Sequence, residues 1–175
     1  MRILGIDPGL HLTGYGCVRI DPDAHDPILL DAGVIRLRRR EAIELRLRQL
    51  HEDLTSVIGS CDPDEVVVEQ IFSHYRHART AMLMGHARGV ILLAASQHDV
   101  PVGELAPSEI KKAVTGLGHA SKQQMQHAVM LQCGLREPPS PPDVADAIAI
   151  ALCAARRIQT ERRAEQSIAA PSPPR

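Results

Sequence analysis

Two apolar runs in this chain each stop at a single carboxylate. Ile3-Leu4-Gly5-Ile6 ends on Asp7, and Val66-Val67-Val68 ends on Glu69. Short continuous apolar runs, the second wholly β-branched, predict strands buried on both faces, as in a sheet covered by helices. The two acids then stand at the rim of that sheet, where an unpaired charge is costly. Pro8-Gly9 suits the central positions of a type II turn, with Gly9 at positive φ. Asp at the head of such a turn also bonds its own backbone. On this stretch alone, turn chemistry and a cation partner are both open.

The rest of the chain fits a mixed sheet. Thr13-Gly14-Tyr15-Gly16-Cys17-Val18-Arg19-Ile20 predicts a second strand, with glycines where something approaches closely. Residues 28–36 predict a third, and the short links make the three an antiparallel meander. Residues 41–58 carry Ile43, Leu47, Leu50 and Leu54 at helical spacing. The strand at 66–69 is expected to be parallel and central. Residues 79–98 predict a long helix in which Ala81, Gly85 and Gly89 recur every four residues. That smooth stripe suits either the sheet or a partner helix. A fifth strand at 100–105 precedes a short helix at 110–114, with Pro107 or Ser108 near its start. A further helix at 122–131 has Ser121 as its N-cap. Pro138-Pro139-Ser140-Pro141-Pro142 bars helix, and residues 143–152 then form an Ala-rich buried one. This order predicts an α/β fold, a five-stranded mixed sheet flanked by helices. One domain is expected over residues 1–158, and a disordered tail over 159–175.

Composition narrows the partners. With one Phe, two Tyr and no Trp in 175 residues, the core must be aliphatic. Four cysteines without CxxC spacing argue against a zinc site or a disulfide framework. The N-terminus shows no basic-then-apolar leader and no long apolar span occurs, so a soluble, cytoplasmic protein off the membrane is expected. The net charge of −1 hides two locally basic stretches, residues 36–48 and 156–163. For nucleic-acid binding the distribution of charge decides, not the sum. The arginines of the helix at 41–58 read first as a solvated face. Residues 72–78 place Phe72 and Tyr75 beside His74, Arg76 and His77. Such a loop suits stacking on a base or wedging between bases, and equally an ordinary loop with an anchoring ring.

Asp143 and Asp146, three apart, share a helix face. Each also suits a helix N-terminus on its own. If that helix packs beside the first and fourth strands, Asp7, Glu69, Asp143 and Asp146 converge. Four clustered carboxylates repel, and such a cluster calls for hard cations. Oxygen ligands without His or Cys point to Mg²⁺ or Mn²⁺. Two such ions in one site catalyse in-line phosphoryl transfer.

The chain resembles the RuvC family of Holliday-junction resolvases, which have the ribonuclease H fold. The matching segments are Leu4-Gly5-Ile6-Asp7-Pro8-Gly9 with Thr13-Gly14-Tyr15-Gly16, Glu69-Gln70-Ile71-Phe72, and Gly85-His86-Ala87-Arg88-Gly89. Lys111-Lys112-Ala113-Val114-Thr115-Gly116, Lys122 and Asp143-Val144-Ala145-Asp146-Ala147 complete the set, in family order over about residues 1–155. The resemblance implies that Asp7, Glu69, Asp143 and Asp146 bind metal, two Mg²⁺ per active site with Mn²⁺ as a substitute. Some similar members carry His at the position of Asp143. Phe72 matches the aromatic that acts on bases at the crossover. Lys111 and Lys122 match basic residues near the scissile phosphate. Lys112, Tyr75 and Arg76 are further candidate DNA contacts. The resemblance also implies a homodimer that nicks two strands of four-way junction DNA symmetrically, and work alongside the branch-migration proteins RuvA and RuvB. The stretch at 73–79 departs from the family's usual Asn-bearing loop.

Two rival functions share parts of this pattern. A phosphotransferase of the actin and sugar-kinase type also begins with an acidic phosphate turn, but it needs two lobes and an adenosine site. A non-catalytic junction-binding protein would require all four acids to be caps and turns.

Overall fold

The structure, a computed structural model, describes residues 1–9, 11–21, 26–70 and 78–169. Strands β1 (Arg2–Asp7), β2 (Leu12–Arg19) and β3 (Ile28–Arg36) form the expected antiparallel meander. Helix α1 (Ile43–Cys61) leads to β4 (Glu65–Glu69), which lies parallel to β1. Helix α2 (Ala78–Gln97) leads to β5 (Val102–Leu105), parallel to β4. Helices α3 (Pro107–Thr115), α4 (Lys122–Gln132) and α5 (Pro142–Ala169) complete the chain. The strand order is β3-β2-β1-β4-β5, so β1 is the middle strand. Among the described residues no helix is long and apolar enough to cross a membrane.

The period of two along each strand divides the core into two layers. Leu4, Ile6, Val66 and Val68 face α1 and α2, where they meet Leu50, Leu54, Ile58 and Ile91. Ile3 and Val67 face the other way, into the layer of α3, α4 and α5. By the same alternation Asp7 and Glu69, two positions on from Gly5 and Val67, emerge on the α5 side.

Close approach of α5 to the sheet depends on glycine. A Cβ at Gly16 would lie 2.8 Å from the Ile148 Cα, and one at Gly5 would lie 2.6 Å from the Ala151 nitrogen. The facing helix is equally slim: Ala145, Ala147, Ala149 and Ala151 are wholly buried. Ile148, 1% exposed, is the large side chain in that contact. Truncating it to Ala is expected to cost about 2–5 kcal/mol.

Two expectations change, and one open alternative narrows. Gly9 is not in the left-handed region; it is glycine because a Cβ there would overlap the Leu12 carbonyl oxygen. The tail expected over 159–175 is helical as far as Ala169. Residues 153–165 are rich in Ala, Arg, Gln and Glu, good helix formers, and Arg157 pairs with Glu161 one turn on. The small-residue stripe of α2 does not meet the sheet. Among the described residues nothing beyond the helix itself lies within 4 Å of a Cβ built at Gly85 or Gly89, and α2 packs inward through Ala87, Ile91, Ala94 and Ala95 instead.

Candidate active site

Strand direction assembles the acids. Since β1 and β4 are parallel with Ile6 opposite Val68, Asp7 and Glu69 follow side by side at the same rim. Helix α5 begins at this rim: the Asp143 carbonyl lies against Gly14, the residue opposite Asp7 on β2. The next turn of α5 carries Asp146. Asp7, Glu69 and Asp146 line one wall of a cleft of about 230 Å³.

The opposite wall comes from α3 and α4. Pro107 at the first turn of α3 presets its backbone, and Gly116 ends it at φ 78°, where a glycine is favoured. Lys111 of α3 reaches the cleft. Ser121 caps α4 in a reciprocal box with Gln124, which places Lys122 at the first helical position. The Lys122 Nζ is 3.8 Å from Asp146 Oδ2. Ile110, Ala120, Met125 and Ile150 form the apolar floor.

The electrostatics follow from this crowding. Burial pushes the Asp7 carboxyl up to about 8, and the charges of Asp146, Glu69 and Asp143 push the same way against the pull of Lys122. Burial also raises Glu69, helped by Asp146 and opposed by Lys111 and Lys122. Asp146 is raised by burial, with Lys122 and Lys111 opposing and Asp143 adding. Asp143 therefore belongs to the cluster through its charge, although it does not line the cleft itself.

Three carboxylates in the cleft and the nearby charge of Asp143, with no imidazole or thiol among the described lining residues, suit a hard dication in donor type and in charge. Their side chains are not closed into a ready cage: among the described residues no three His, Cys, Asp or Glu stand in position to hold one ion. The ammonium of Lys122 offsets part of the charge at Asp146 in this arrangement.

Of the other expected contacts, Lys112 is exposed on α3 outside the cleft. Phe72, Tyr75 and Arg76 lie outside the described residues. Sequence reasoning passed over Thr13. It is fully buried, and its hydroxyl lies 3.4 Å from the Gly9 N–H, which donates to it, while donating to the Gly9 carbonyl at 3.2 Å. Thr13 thereby clamps the turn that follows Asp7. The only signal was a polar residue at a position where the strand pattern calls for burial.

Sheet order, helix placement and the acidic rim together define a ribonuclease H-like nuclease. A family model, Crossover junction endodeoxyribonuclease RuvC, matches residues 3–154, and the chain belongs to the RuvC family. A relative of that description from Rhodopirellula baltica is 50% identical over 151 residues, 86% of this chain and 84% of the relative. One from Desulforamulus reducens is 43% identical over 156 residues, 89% and 94% of the two chains. Among solved structures, RuvC of Thermus thermophilus superposes with a TM-score of 0.82 at 34% identity, covering 92% of this chain and 97% of that one. T. thermophilus RuvC in complex with Holliday junction substrate gives 0.84 at 35% identity, covering 92% and 96%. The yeast mitochondrial resolvase Ydc2, at 15% identity and a TM-score of 0.66, shares the fold.

Proposed function

We propose that this chain is a Mg²⁺-dependent endonuclease that resolves Holliday junctions by paired, symmetric nicks, in recombination and repair. The observation that carries the proposal is the cleft itself. Asp7, Glu69 and Asp146 line one wall, Lys111 and Lys122 stand across from them, and Asp143 adds its charge. A relative solved with its Holliday junction substrate supports the substrate class.

Asp7, Glu69, Asp143 and Asp146 would hold two divalent cations, Mg²⁺ or, as a substitute, Mn²⁺. The ions would supply charge neutralisation and the activation of water. The protein's own groups have separate tasks. Burial of Asp7 and Glu69 keeps bulk water from screening the site, so charge placed there acts strongly. Lys111 and Lys122 offer ammonium groups to the phosphate and to the charge that grows on it during in-line attack. Hydrolysis would leave 5′-phosphate and 3′-hydroxyl ends. Phe72, Tyr75 and Arg76, with Lys112 on α3, are proposed to touch DNA around the crossover.

A homodimer is part of the proposal. A two-fold enzyme fits a near two-fold junction. The open face of α2 at Gly85 and Gly89, with Met82 67% exposed nearby, supports that helix as the meeting surface. RuvA and RuvB are proposed partners on the family resemblance alone. Cleavage of a four-way junction, set against linear duplex and with metal withheld, tests the function.

A further inference from the structure

We infer that Arg39 and Arg40, with Arg36 and Arg46 beside them, form a second phosphate-backbone site that holds a junction arm next to the cleft. The inference rests on the proposed junction-cleaving function. Strand β3 is antiparallel to β2, and β2 to β1, so β3 runs the same way as β1. Asp7 opposes Gly14, and Gly14 opposes Val34. The chain therefore draws level with Asp7 at Val34 and crosses the same rim at Arg36. Two strand spacings, roughly 10 Å, separate the two positions across the sheet. The link beyond is tied to the turn that follows Asp7, since the Leu37 N–H donates to the His11 carbonyl at 2.9 Å.

Charge is concentrated at this point. Residues 36–48 hold six arginines and two glutamates in a chain of net charge −1. Arg38 is paired with Glu41 at 2.9 Å, and Arg48 stands 3.8 Å from Glu52. Arg39 and Arg40 are exposed and have no carboxylate partner among the described residues. Arg46 turns towards the rim, its guanidinium 3.4 Å from the His11 ring, and its Nε is buried without a hydrogen-bond partner among the described residues. His11 is held below its usual range by desolvation and then by Arg39 and Arg46, so both charges bear on the turn after Asp7.

A solvated helix face does not account for this. Arg39 and Arg40 precede α1, and Arg46 leans on His11. A crowd of like charges at one rim is costly by itself and is relieved by a polyanion. The acidic cleft beside it cannot attract DNA unaided, and a neighbouring basic rim supplies the missing attraction.

The test measures binding of a synthetic four-way junction in EDTA across a salt series. It compares wild type, Arg39→Gln/Arg40→Gln, and a control with the same charge change, Arg157→Gln/Arg162→Gln. The control lies towards the opposite rim of the sheet, where Arg162 reaches Met1 at the start of β1. The site predicts that the Arg39/Arg40 variant binds about 5- to 50-fold more weakly at 0.1 M salt. Its slope of log K against log salt should be shallower by about 1–2, roughly 0.9 per lost phosphate contact. The control should match wild type. An Arg39/Arg40 variant that binds and responds to salt like wild type overturns the inference and leaves the proposed function standing. A shared loss in both variants assigns the effect to net charge and also overturns it. A wild type that neither binds nor cuts junctions brings down the function and this inference together.

Discussion

The Lys122 ammonium stands 3.8 Å from the Asp146 carboxylate, across the mouth of the cleft. It links α4 to α5 and lowers the carboxyl pKa of Asp7, Glu69 and Asp146 together. One exposed amine thereby moderates the charge of three acids on three elements.

Replacing Lys122 with Met should raise all three carboxyl groups further and cut junction cleavage about 100-fold, the usual scale for one aligned electrostatic group. Lys122→Arg should recover part of the rate. Because the side chain is 73% exposed, folding stability should change little. Single-turnover cleavage beside urea denaturation separates the two effects.

Asp7 gives the metal-free protein a pH signature. Its carboxyl is raised from 3.8 to about 8 by burial and neighbouring acids. Between those values the native state holds a proton that the unfolded chain has lost. The stability this provides is complete below about pH 4 and disappears as pH rises through 8. In EDTA the Tm of wild type should therefore fall between pH 5 and pH 8. Asp7→Asn should flatten the curve and melt about 5 °C or more above wild type at pH 8. Divalent cation should stabilise wild type at pH 8 and leave Asp7→Asn nearly unmoved. Scanning calorimetry across that range measures each of these.

Thr13 should act through the turn it clamps. Thr13→Val keeps the shape but strands both Gly9 backbone groups, at a cost of about 1–3 kcal/mol. Thr13→Ser should restore most of it. If the clamp positions Asp7, the valine variant should also need more metal for half-maximal cleavage, and the serine variant should not. A purely structural Thr13 would lower Tm without shifting that metal requirement.

Much of this site was legible because its signals are local. Ile3 to Ile6 and Val66 to Val68 are unbroken apolar runs, and each places its acid at a strand end by simple alternation. Ser121 before Lys122 is a cap that sequence alone identifies. Other features depend on partners distant in the chain. Gly9 looked like a turn glycine, but what excludes a side chain there is the Leu12 carbonyl. The helical run past residue 158 was hidden by charged residues, and it is supported by Ile158 packing on the core and by local ion pairing. Thr13 had no partner visible until the strand folded back over Gly9. The basic stretch at 36–48 was legible from charge alone, but only strand register shows that the chain leaves β3 at Arg36 on the rim that carries Asp7.

The most direct test of the whole account is cleavage of a synthetic mobile four-way junction, compared with linear duplex, in Mg²⁺, in Mn²⁺ and in EDTA, by wild type and Asp7→Asn. On the proposed function, wild type makes paired nicks at symmetric positions on the junction only, supported by either metal, abolished by EDTA, and reduced at least about 1000-fold by Asp7→Asn, as for loss of an essential group in a cooperating site. Intact junctions with both metals, or equal cutting by Asp7→Asn, would contradict it.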